Sequence, residues 1–122
     1  MGTIYEFYCM DCQEVWDIDK EHNAARFLPV LQKRHEGHRT GFCSEHDDIS
    51  EMVGILHWVD GLVKTYKCFD PFADEEMKAL PAASESEIEA FYKNYKKQDE
   101  VNDKNYYIIL EQIWKDNPHL RS

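Results

Sequence analysis

The chain is short of positive charge, of long apolar runs and of linkers, and each shortage excludes something. Its 14 lysines and arginines stand against 24 aspartates and glutamates, a formal net charge of -10. A field of that sign repels phosphate backbones and anionic membrane surfaces. Both halves share it, with eight acids and five bases in residues 1–46 and sixteen acids and nine bases in residues 47–122. No apolar run approaches the ~18 to 20 residues a spanning helix needs, so no membrane segment is expected. The start MGTIYEFYC lacks a basic opening, an apolar stretch and a small-residue cleavage site, and Glu6 stands where a myristoylation signal carries Ser or Thr. A cytoplasmic location is therefore the expectation. Neither an internal repeat nor a low-complexity linker divides the 122 residues, which suit one packed unit burying roughly two-thirds of its unfolded surface.

Four cysteines are present, one close pair and two singles. Under reducing conditions such thiols act as free thiols or metal ligands rather than disulfides. The pair lies in YCMDC, between TIYEFY (3–8) and QEVWDI (13–18), whose β-branched, aromatic and alternating residues predict two strands. They form a hairpin whose tight turn carries Cys9 and Cys12. From about His22 to Glu36, Ala25, Phe27, Leu28, Val30 and Leu31 fall near a helical period, with Pro29 either kinking that helix or marking its start. Gly37 follows where a helix closes in the left-handed conformation.

Residues 48–69 carry two signals. Asp60-Gly61 between apolar runs suggests a hairpin, but polar or small residues at Ser50, Gly54, His57, Gly61, Lys64 and Cys68 recur every three or four positions. The periodicity predicts a helix of about five turns, opened by Asp48 and Glu51 and closed by Lys64 and Lys67. Residues 70–83, with two prolines, hold at most one helical turn. Ser84 with Glu87 caps a further helix bearing Ile88, Phe91, Tyr92 and Tyr95; Asn102-Asp103 is expected to break it, and a last helix runs from Lys104 to Lys115. The fold class expected is α+β: a small zinc-bound β-hairpin plus helix in residues 1–46, followed by a mostly helical region in residues 47–122, packed as one structural unit.

Zinc favours four Cys or His ligands in a tetrahedron, and a C-x2-C turn offers two thiolates at once. RHEGHRTGFCSEH (34–46) supplies the rest. His35 and His38 complete C-x2-C-x22-H-x2-H at the end of the first helix; Cys43 and His46 are the alternates, completing C-x2-C-x30-C-x2-H. The first set is favoured because it uses hairpin, helix and paired histidines together. Over residues 3–40 the chain thereby resembles a C2H2-type zinc-finger-like module, a Cys pair on a hairpin and a His pair ending an apolar helix. The resemblance implies zinc ligation by Cys9, Cys12, His35 and His38. The spacer is longer than that family's usual twelve or so residues, and the acidic field opposes its DNA-reading role.

His35-Glu36-Gly37-His38 is not the H-E-x-x-H of a zinc protease, whose histidines are four apart. A closed four-ligand shell points to structural Zn2+. The basic cluster of Lys33, Arg34 and Arg39 is read as a solvated helix end, and the many aromatic rings of the second half suit docking as well as core filling. The expected role is protein-protein interaction, as an accessory subunit or regulator rather than an enzyme. A zinc-dependent enzyme or metal-handling protein, with Cys43 or His46 near an open site, is the alternative; nucleic-acid binding is third.

Overall fold

A computed structural model describes residues 3–57 and 66–121 of the chain. Strands β1 (Ile4–Cys9) and β2 (Glu14–Asp19) form the expected hairpin, pairing antiparallel from Ile4 opposite Asp19 to Cys9 opposite Glu14. Helix α1 (Glu21–Arg34) follows at once. Pro29 lies inside it on the exposed side, so it does not mark the helix start, and Phe27, Leu28 and Leu31 are buried as their spacing predicts. Gly37, just beyond, has φ +84°.

Strand β3 (Thr40–Ser44) then pairs antiparallel with β1 and is not foreseen by local pattern. Five residues ringed by candidate ligands carry too little alternation to announce a strand. Helix α2 is described over Ile49–His57, within the span the periodicity predicts. Residues 58–65, over which the same helix is expected, lie outside the described residues. Lys67–Phe69 are not its end but strand β4, which pairs in parallel with β2. Pairing along the β2 edge satisfies backbone groups there, which outweighs a glycine-weakened helical preference. The α+β sheet order is β3-β1-β2-β4, so residues 47–122 contribute a strand to a sheet begun by residues 1–46.

A 3-10 turn (Pro71–Ala73) and the single turn α3 (Glu75–Lys78) occupy the proline-flanked stretch. Helix α4 (Glu85–Asp116) opens on the Ser84/Glu87 capping box and runs unbroken for 32 residues, about 48 Å. The break expected at Asn102-Asp103 is absent because Asn102 is spent on tertiary contacts. It accepts a hydrogen bond from the Tyr8 hydroxyl at 2.5 Å and donates to the Phe42 carbonyl at 2.9 Å. Asn105 donates to the Tyr8 hydroxyl at 3.0 Å and to the Thr40 carbonyl at 3.5 Å.

Two cores result, one on each face of the sheet. Tyr5, Phe7, Trp16 and Ile18 pack with α1, Met77 and Phe91, while Tyr8, Val15 and Cys43 pack with Val53, Leu56, Ile109 and Ile113. Helix α4 reaches both because it crosses the β3 edge, where Asn102 and Asn105 take up outward carbonyls that would otherwise template pairing with another chain. Gly41 lies at that crossing: a Cβ there would collide with the Tyr8 ring and hydroxyl.

Candidate metal centre

Hairpin, helix end and the segment before β3 converge at one end of the sheet. Cys9 closes β1, Cys12 sits in the turn, His35 caps the C-terminus of α1 and His38 follows Gly37. The four donor atoms lie within 4.8 Å of one another. Nδ1 of His35 is 3.5 Å from the Cys12 sulfur; Nδ1 of His38 is 3.4 Å from the Cys12 sulfur and 3.6 Å from that of Cys9. Zinc bonds of about 2.3 Å to sulfur and 2.0–2.1 Å to nitrogen, at tetrahedral angles, require sulfur-nitrogen edges of about 3.6 Å. The set fits a tetrahedral ion of that size, and Cys9 and His35 are buried while Cys12 and His38 face solvent.

Local contacts hold this geometry. The Cys12 amide donates to the Cys9 sulfur at 3.3 Å, so the turn already directs an N–H at one thiolate position. Gly37 in the left-handed region lets His38 N–H donate to the His35 carbonyl at 2.9 Å, which folds the second imidazole back beside the first. Asp11, inside the cysteine turn, accepts from the Arg39 amide at 2.6 Å, and Met10 N–H donates to the Arg39 carbonyl at 2.9 Å. Turn and histidine segment are thus clasped together by protein groups alone.

Protonation suits a cation. Burial lowers the His35 pKa, which favours the neutral, ligating imidazole. Desolvation and the adjacent Cys9 sulfur push Cys12 up to about 11. A divalent ion held between the sulfurs would offset that penalty and release protons. His35 turns its other nitrogen, Nε2, toward Oε2 of Glu14 at 3.6 Å, and that buried oxygen has no hydrogen-bond partner among the described residues. With Nδ1 as ligand, the imidazole proton resides on Nε2 and faces this carboxylate, the outer-shell arrangement metal-bound histidines favour.

The structure does not bring Cys43 or His46 to this group. Cys43 pairs with Glu6, so side-chain alternation puts it on the opposite face of the sheet from Cys9. It is fully buried, and burial raises its thiol pKa well above the ordinary value. His46 follows the end of β3 that lies beside Tyr5, beyond a strand that runs about 13 Å from Thr40, opposite Cys9, to Ser44. Its side chain is 75% exposed, near Glu45.

Asp11, Glu14 and Arg39 are the positioning residues that ligand spacing misses. An acid inside the cysteine turn and another two residues beyond it were the available signals. Of the basic cluster, Arg34 pairs with Asp74 at 2.8 Å and Arg39 with Asp11 at 3.2 Å. These guanidiniums serve tertiary contacts. No protein-family model, curated protein or solved structure matches the chain.

Proposed function

We propose that the protein is a zinc-stabilised protein-protein interaction protein, an accessory subunit or regulator of a larger complex. The observation that carries this reading is the four-donor cluster, two sulfurs and two imidazoles within 4.8 Å of one another, with three sulfur-nitrogen distances of 3.4–3.6 Å at tetrahedral edge length. Zinc held so has no position for water, which supports a structural ion over a catalytic one. The remaining thiols favour the same reading. Cys43 is sealed in the core, and Cys68, donating to Asp17 at 3.2 Å, is held up to about 12 by desolvation and that carboxylate. Neither is a thiolate at neutral pH. Large rings at the surface support docking: Tyr107 is 69% and Phe72 47% exposed.

Metal analysis of the purified chain tests the first half. One zinc per chain is expected, lost in Cys12→Ser and in the His35→Ala/His38→Ala double variant, and kept in His46→Ala. Cobalt in its place should give tetrahedral d–d and sulfur charge-transfer bands. Full zinc retention by the double variant would overturn the assignment. Co-purification from the native source tests the second half, with recovery of the chain alone counting against it.

A further inference from the structure

At the end of the sheet opposite the metal group, a cleft of about 940 Å3 opens beside β1, β2 and β4. Glu6, Asp17, Asp19, Glu45 and Asp70 line it, and none of its described lining residues is basic. Its walls also include Ile4 and Phe72, 42% and 47% exposed, two of the five large exposed hydrophobic residues among those described. A second opening of about 790 Å3 lies across the start of α2, where Ile49 faces it and Ser50 faces the first. Its carboxylates, including Asp48, Glu51, Asp99 and Asp103, extend the acidic surface. The arginines of the metal end are engaged with Asp11, Asp74 and Glu76, and neither opening has a basic residue among its described lining.

We propose that the first cleft docks a basic, amphipathic peptide segment of a partner protein, its lysines or arginines meeting the carboxylates and an apolar side chain covering Ile4 and Phe72. This rests on the reading of the chain as an interaction protein and specifies the partner's chemistry. Both halves of the surface demand it. A simple polycation leaves Ile4 and Phe72 in water, while a wholly apolar segment buries carboxylates without compensation. Nucleic acid and anionic membranes are repelled by the same field. Charge complementarity supplies steering and register, and the apolar anchor supplies residence time.

The test is calorimetric titration of the zinc-loaded full chain with a short peptide alternating lysine and leucine, beside one alternating lysine and serine. The lysine-leucine peptide should bind at least about tenfold more tightly. Asp17→Asn/Asp19→Asn/Asp70→Asn and, separately, Phe72→Ala should each weaken it by about tenfold or more. Asparagine at 70 retains an acceptor for the Phe72 amide that Asp70 now caps. The charge-matched Glu85→Gln/Glu89→Gln/Glu111→Gln variant should bind like the wild type. Equal binding of the two peptides, equal weakening by the charge-matched variant, or no binding of the lysine-leucine peptide overturns the proposal. Zinc content and circular dichroism of the same samples separate the two readings: failed docking with zinc retained sinks the cleft alone, and absent zinc sinks the metal centre.

Discussion

Glu6 is an acid in the middle of a buried strand, 7% exposed, with Ser50 donating to it at 2.5 Å. Burial lifts its pKa to about 7, Asp17 and Glu45 add to the rise, and the Ser50 bond opposes it. A carboxyl raised in the folded state favours folding while it is protonated. Its contribution is full below pH ~4.5 and is lost as pH rises through about 7. Near neutrality the ionised group costs up to about 3 kcal/mol. Glu6→Gln should therefore match the wild type at pH 4 and exceed it in stability at pH 8. Urea midpoints of the pair across that range would check this, and a pH-independent difference would refute it. The pattern of acids in the sequence marks Glu6 as a strand-face residue but cannot show burial, which needs α2 to place Ser50 over it.

Elements that depend on short-range spacing are legible, and those that depend on distant partners are not. The hairpin, α1 with its glycine, and the Ser84/Glu87 cap each follow from residues a few positions apart. β3 and β4 exist because strand edges accept them, and α4 stays whole because Asn102 finds Tyr8 and Phe42. An Asn-Asp pair lowers helix propensity by only tenths of a kcal/mol per residue, whereas buried hydrogen bonds contribute more and are costly to leave unmade. Asn102→Ala should thus destabilise the protein by about 2 kcal/mol despite its better intrinsic propensity. Chemical denaturation reads that difference directly; a neutral or stabilising result would show that the Tyr8 network does not hold α4 on the sheet.

For the whole molecule, the Cys9/Cys12/His35/His38 cluster is an end clasp on a sheet with cores on both faces. A small zinc module that lacks its own core unfolds without metal, and from the sequence alone residues 3–46 are expected to do so. The packing of β1 between α1 and the α2/α4 layer argues for a more local effect. Chelation should first raise hydrogen exchange in the Cys9–Glu14 turn and the His35–Arg39 segment, and lower the melting temperature, while most helical circular dichroism survives. Cooperative loss of the helical signal on chelation would show instead that the core depends on the ion.

The candidate donors and the α+β class were determined by the sequence itself, because a C-x2-C turn, a glycine-closed helix and a His pair are local arrangements that leave little conformational choice. Which of His35/His38 and Cys43/His46 lies beside the cysteine pair was decided by tertiary structure. Register puts Cys43 on the opposite face from Cys9 and His46 at the far end of β3, and register is set by which side chains can share a core. The acidic cleft was decided there too, since its carboxylates come from segments that only the sheet and the start of α2 bring side by side.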